Sequence, residues 1–481
     1  MRLIAFAALG ALAACQTITA TAEEPADREA EILQTATSLA NAGTWDNIGL
    51  QFVEDLTTEI GPRLAGSPDE KRARDWAVAE LKSMGFSNVH VEDFTVPYWA
   101  RTHETAHVVG DSAQPLIITA LGGSAPTPEG GLEAGIVRFE LLADLQAADD
   151  ADVAGKIVFI DEFMTRTQTG AGYGLAVAKR AACPKVAAAK GAVACLIRSV
   201  GTDHFRRPHT GGIDRRGPDG VAKPMGPIPA AALSAPDADQ LARLLERGPV
   251  TVNLDIGVET AEAAPSGNVI AEVEGGANKD EIVLIGCHLD SWDLGTGAID
   301  DGAGCGIVVG AAKLIDQLPG KPDRTIRVVL YGSEEIGLFG GDAYARQHTD
   351  ELDKHVLASE SDHGASYIWQ FQTRFGEGAL DYAKKIQGVL ARYGVAAGDN
   401  LAWGGPDIGV LARSGVPVAT PAQDGWDYFD YHHTPDDTFD KIEPDAFRQN
   451  VSVYAAFTYL AADSGWDFRK PAEPEEAEAE E

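Results

Sequence analysis

The sequence predicts an α/β sandwich, a central sheet with helices on both faces, interrupted by a smaller inserted unit. Three observations lead there. First, GNVIAEVEG, EIVLIG, TIRVVLYG and HVLASES read as successive strands, and their two-sided apolar, β-branched content suits a sheet covered on both faces. Second, helical patterns lie between and after them, around 303–316, 338–348, 378–393 and 444–462. Third, character changes between Pro115 and about residue 262. Strands there look short, and Gly and Pro are frequent, as in GGSAPTPEGG and HTGGIDRRGPDG. A chain of 481 residues also exceeds one ordinary core, so two or three domains are expected.

The chain opens MRLIAFAALGALAACQT. One Arg precedes an apolar run too short to span a bilayer, the pattern of a signal h-region. Its ending, Leu12-Ala13-Ala14-Cys15, reads as a lipobox with Cys15 as the lipid-bearing residue, so residues 1–15 are assigned to a signal peptide. A plain secretory signal, cleaved beyond Cys15, is the other reading. No later stretch approaches the length of a membrane span. An exported protein, periplasmic or extracellular and anchored at most by lipid, is expected. Residues 16–30 are polar and Ala/Glu-rich, a flexible leader.

From there a helical pattern begins. GPRLAGSPDEKRARDWAVAELKSMGF follows, with Ser67 as N-cap, Pro68 in the first turn and Glu70 completing a capping box. Ala73, Ala77, Leu81 and Met84 repeat at helical spacing, Gly85 closes the helix, and Val89 and Val91 begin a strand. Inside the insert, AAKGAVACLIRSV reads as an Ala-rich helix, a Gly and a buried strand. The resulting division is 31–114 plus 263–468 for the main domain and 115–262 for the insert. An acidic, disordered tail, 469–481, completes it.

Two compositional facts narrow the function. The formal charge of −34 repels phosphate backbones, so no nucleic-acid partner is expected. Beyond Cys15 there remain Cys183, Cys195, Cys287 and Cys305. In an exported chain the near pairs Cys183–Cys195 and Cys287–Cys305 are the simplest disulfides; free buried thiols fit the sequence as well.

In open α/β sheets, sites form outside the carboxyl ends of strands. Here those ends are crowded with charge. GCHLDSWDLGTGAIDDG carries His288, Asp290, Asp300 and Asp301; YGSEEIG carries Glu334 and Glu335. ASESDHG carries Glu360, Asp362 and His363, and YFDYHHTPDDT carries Tyr431, His432, His433, Asp436 and Asp437. Singly, each cluster has an ordinary explanation as a cap or a solvated loop. Brought together, so many carboxylates could not all ionise, because like charges raise one another's pKa. No Lys or Arg lies within the motifs to compensate. Bound divalent cations would solve the problem, and His plus carboxylate ligands suit zinc. Two ions fit the number of candidates better than one, with a carboxylate shared between them.

The ordered set HLDSWDLGTGAIDDGAG, EE, ESD and HHT-x-x-DT resembles the co-catalytic zinc peptidases of metallopeptidase family twenty-eight. GPRLAGS, LIRSV, PHTGG and SGVPVATP extend the resemblance over nearly the whole mature chain. It implies a three-layer zinc-aminopeptidase-like fold around a mixed sheet, with a protease-associated-like insert. It also implies two Zn2+ ions. His288 and Asp362 would hold one, Glu335 and His433 the other, and Asp300 would bridge them beside a cis peptide to Asp301. Glu334 would be the general base. Asp290 would stand behind His288 and fix its tautomer, and Asp437 would orient the last motif. Relatives with Tyr before the last His use it on the oxyanion; here His432 stands in that place, with Tyr431 one residue earlier.

The implied activity is hydrolysis of dipeptides or short peptides with a free N-terminus, and the implied assembly a homodimer. Arg198 and His209 in the insert are candidate substrate contacts, although local packing explains both. Asp424 and Asp427 are candidates for a free amine. No G-x-S-x-G occurs, which removes the serine-hydrolase reading. Two alternatives stay open: a non-catalytic receptor or binding protein on the same fold, and a single-zinc acyltransferase of the glutaminyl cyclase type.

Overall fold

The computed structural model describes residues 25–217 and 220–472. The signal and lipobox expectation, most of the leader and most of the acidic tail lie outside the described residues.

The sheet is mixed. The strand Asn278–His288 lies parallel between Arg324–Tyr331 and His355–Glu360. Val418–Gln423 joins parallel to the latter, Ile368–Arg374 runs antiparallel beside it, and Ala396–Ala397 forms the edge. On the other side Thr251–Val273 pairs antiparallel with Arg324–Tyr331. Alternation along the central strand sorts the two faces. Val283, Ile285 and Cys287 pack into one core with the helices Ala303–Asp316 and Pro444–Asp463. Ile282 and Leu284 face a second core with Tyr344 and Leu411, on the helices Phe339–Gln347 and Gly409–Arg413. This is the three-layer α/β sandwich.

The helix over Pro68–Ser83 starts as the sequence predicts, with Ser67 Oγ accepting from the Glu70 N–H at 3.1 Å. Glu70 reaches back one residue further than a capping box, to the N–H of Gly66 at 2.9 Å. One boundary moves. The first helix spans Pro25–Gly43, so the leader expected over 16–30 is helical from residue 25. Its stripe of Ile32, Ala36, Leu39 and Ala40 is buried in the main core, which holds the segment in place.

Residues 115–262 hold a second set of strands. Leu132–Phe139, Ile157–Ile160, Ala194–Arg198 and Ala230–Leu233 run parallel in that order, and Ile118–Ala120 closes the edge antiparallel. The helix Ala171–Ala189 packs against them through Ala176, Cys183 and Ala187. Cys183–Cys195 ties this helix to its neighbouring strand, and Cys287–Cys305 ties the central strand to the helix Ala303–Asp316. Two 23-residue strands, Ser87–Val109 and Thr251–Val273, pair antiparallel along most of their length and join this region to the main sheet. Among the described residues no helix is long and apolar enough to cross a membrane.

Candidate active site

The charged clusters meet beyond the carboxyl ends of the central strands. There a cavity of 640 Å³ is lined by Asp300, Glu334, Glu335, Glu360, Asp362, His432 and His433, among others. His288 ends its strand and Tyr331 ends the next, so both first motifs emerge side by side. Ser333 and His433 both adopt positive φ without being glycine, at 61° and 60°. Backbone held in such a conformation concentrates where side chains must be aimed.

Asp300 is the centre of the arrangement. Its Oδ1 lies 3.1 Å from His288 Nε2, and its Oδ2 lies 3.2 Å from His433 Nε2. Glu335 Oε2 is 2.9 Å from the same His433 nitrogen, and Asp362 Oδ1 is 3.6 Å from His288 Nε2. The Asp300–Asp301 peptide is cis. Asp301 points elsewhere: its carboxylate accepts from the N–H groups of His288 and Gly304, at 3.2 and 3.0 Å.

The supports differ in detail from expectation. Asp290 does sit behind His288, but it is the Asp290 carbonyl that meets His288 Nδ1, at 2.9 Å. Its carboxylate instead accepts from the N–H groups of Glu334 and Glu335, at 3.0 and 3.3 Å, and so fixes the second motif. Asp437 Oδ1 accepts from Ile299 N–H at 2.5 Å, holding the loop that carries Asp300.

Of the remaining candidates, His432 lines the cavity and stacks on His433, with ring centroids 3.5 Å apart. Tyr431 lines a small side cavity instead. Arg198 is paired with Asp161 and Asp239, and His209 bridges Asp203 and the His432 carbonyl, both at 2.7 Å. Neither lines the main cavity. Asp424 accepts from Gln168 and the Trp426 N–H, and Asp427 faces Ser366.

The sequence offered no cation within the motifs; the fold brings two from afar. Arg63, wholly buried, donates to the carbonyls of Gly61, Leu289, Thr296 and Gly297. Arg180 enters from the helix Ala171–Ala189 and reaches the cavity. GPRLAGS marked Arg63 only as part of a motif, and no local pattern marked Arg180.

The electrostatics are those of crowded acids. Burial raises Glu334 well above the ordinary carboxylate range, with Asp362 and Glu335 adding to the rise against the pull of His288. Burial works the other way on His433, but Glu335 and Asp300 overcome it and lift the imidazole to about 9. Glu335 Oε1 and Asp300 Oδ2 are buried without a hydrogen-bond donor. One ligand atom each from His288, Asp300 and Glu335 fall within 4.8 Å of one another, and the same holds for Asp300, His432 and His433. These oxygens and nitrogens fit a divalent cation, which would replace the protons that now bind them together.

Fold and site together define a hydrolase of the metallopeptidase class. Residues 268–458 match the model of Peptidase family M28. Carboxypeptidase Q of Mus musculus is 32% identical over 442 residues, 92% of this chain and 91% of that one. The Homo sapiens protein of the same name is 31% identical, over 90% and 89%. The crystal structure of a peptidase M28 precursor from Shewanella amazonensis superposes with a TM-score of 0.89 at 50% identity. It covers 93% of this chain and 100% of that one. The aminopeptidase of Aneurinibacillus sp. strain AM-1 shares the fold, with a TM-score of 0.61 at 23% identity over 89% and 96% of the two chains. The chain belongs to peptidase family M28.

Proposed function

We propose that this peptidase is an exported di-zinc exopeptidase acting on dipeptides or short peptides with a free N-terminus. One observation carries the reading: Asp300 directs one oxygen at His288 and the other at His433, as a carboxylate shared by two ions must. His288 and Asp362 would hold one zinc, Glu335 and His433 the other, and Asp300 both. The solved zinc aminopeptidase of Bacillus subtilis, a fold neighbour at TM-score 0.63 and 21% identity, supports the choice of metal. Residues 115–262 serve in this reading as a protease-associated-like insert, and Cys15 as a lipid anchor. The homodimer implied by the resemblance belongs to the same proposal.

Bound zinc lowers the pKa of a water toward neutrality and offsets negative charge on an attacked carbonyl. Glu334 removes a proton from the attacking water at its carboxylate and returns it to the leaving amine nitrogen. The crowding that raises this carboxyl keeps it able to do both. Asp290 holds the backbone of Glu334 and Glu335 in register, and its carbonyl accepts a hydrogen bond from the Nδ1–H of His288, leaving Nε2 free to ligate.

The test is Glu334→Gln, assayed with a dipeptide panel that includes N-blocked and C-blocked members, with zinc and with chelator. Zinc content is retained and turnover falls by at least about a hundredfold. N-blocking abolishes cleavage. Near-normal turnover of the variant removes Glu334 as the base, and cleavage of N-blocked peptides removes the requirement for a free N-terminus.

A further inference from the structure

Nothing at the strand ends accounts for two residues that enter the cavity from the helix Ala171–Ala189. Tyr173 and Arg180 line it together with Asp300, Glu334, Glu335 and His433. Arg180 is 6% exposed. Its Nη2 donates to the Tyr173 oxygen at 2.6 Å, and its Nη1 lies 3.4 Å from the Thr210 carbonyl and 3.4 Å from His433 Nδ1. Tyr173 is itself fixed in place. Its ring stacks on Phe429, with centroids 4.8 Å apart, and meets His432 edge-on at 5.1 Å.

A phenol oxygen that accepts a bond from a guanidinium is a better donor through its own O–H, because the two bonds polarise each other. The accepted bond also turns the O–H away from Arg180. Among the described residues no protein group accepts that O–H, although the ring sits in the cavity wall. A prepared donor without an acceptor, beside the acids that activate water, fits an oxygen that gains charge only during reaction. Tyr428, also in the cavity wall, has no cationic donor on its hydroxyl and lacks this preparation.

We propose that Tyr173 is a catalytic residue that donates a hydrogen bond to the scissile carbonyl oxygen as it becomes an oxyanion, and that Arg180 is its positioning residue. The inference rests on the peptidase reading above. The proton stays on the phenol throughout; only a hydrogen bond strengthens as negative charge develops. The insert thereby completes the reaction centre as well as bounding the cleft.

The test uses Tyr173→Phe in the zinc-loaded, full-length enzyme, with the fastest substrate of the dipeptide panel. Phe keeps the ring and its packing and deletes one oxygen. Expected are a fall in kcat of about a hundredfold with KM within about threefold of wild type. Zinc content and thermal midpoint stay unchanged. Affinity for a phosphinic analogue of the same dipeptide, measured by calorimetry, falls in parallel with kcat. Arg180→Met, or Arg180→Lys if the former does not fold, loses kcat similarly, and combination with Tyr173→Phe adds little. A kcat for Tyr173→Phe within about threefold of wild type overturns the proposal, as does a larger loss in Tyr428→Phe. Glu334→Gln run alongside separates the two readings. If that variant is inactive while Tyr173→Phe is active, only the tyrosine role fails. If Glu334→Gln is active, only the base assignment fails.

Discussion

Arg63 Nη2 donates to the carbonyl oxygen of Gly297 at 2.9 Å, joining positions 234 residues apart. Gly297 lies in the loop leading to Asp300, and a Cβ there would meet both Ser291 and this guanidinium. With the bonds to Gly61, Leu289 and Thr296, one side chain closes four carbonyls, three of them buried, around the first motif. Arg63→Leu leaves those carbonyls without a donor, and an orphaned buried acceptor costs about 1–3 kcal/mol. The losses overlap, so urea unfolding is expected to show a stability lower by about 3–5 kcal/mol. Arg63→Lys keeps the charge but not the fork and recovers less than half. A loss under about 1 kcal/mol would show that the loop holds itself.

Asp437 acts on the same loop from the other side, through Ile299. Asp437→Asn retains an acceptor at Oδ1, whereas Asp437→Ala frees the Ile299 N–H and lets Asp300 drift. Supports of this kind change metal affinity by about 10- to 100-fold. Competition against a fluorescent chelator is expected to place the Ala variant in that range and the Asn variant within about threefold of wild type. Equal affinities in all three proteins would contradict the assignment.

How much of this was legible in the sequence depends on how local the signal is. The strands from 267 onward, the capping Ser67 and the helix Ala303–Asp316 are written in short-range periodicity, and the structure follows them. The clusters holding His288, Asp300, Glu335 and Asp362 were legible because each ends a strand or opens the next helix, and that of His433 because His and Asp crowd one short segment. Arg63, Tyr173 and Arg180 were not. Each is an ordinary residue in its own segment and gains meaning only through contacts made when distant segments pack. Which atom of Asp290 meets His288 was not legible for a related reason: whether a carbonyl or a carboxylate does so depends on the turn after the strand, which composition does not specify.

If the histidines and carboxylates around Asp300 hold two ions, removing them should weaken the fold itself. Binding to the native state alone stabilises by about 2.7 kcal/mol at a hundredfold excess over Kd. Dialysis against a chelator is therefore expected to lower the thermal midpoint, and zinc to restore it. Elemental analysis should find about two zinc ions per chain in the wild type and about one in His433→Ala. A wild-type ratio near one favours the single-zinc reading.

His355, far from the cluster, provides a pH signature. It is fully buried, its Nδ1 meets the Glu351 carbonyl at 2.9 Å, and its Nε2 meets the Tyr344 hydroxyl at 2.8 Å. Both contacts suit a neutral ring donating from Nδ1. Burial pushes its pKa down to about 4, with Arg327 and His348 adding to the fall against the Glu351 carbonyl. The unfolded value is about 6.5. Between those values the unfolded chain binds the extra proton, so stability rises with pH. The contribution is fully present above about pH 6.5 and is lost as pH falls toward 4, below which nothing more changes. Its size is about 2.5 kcal/mol between pH 7.5 and 4.5. His355→Gln removes the titration, while the groups shared with wild type cancel in the difference. The stability of wild type minus that of His355→Gln, from urea unfolding at each pH, should fall by about that amount over the interval. A difference that stays constant with pH would mean that His355 takes up its proton at the same pH in the native protein as in the unfolded chain.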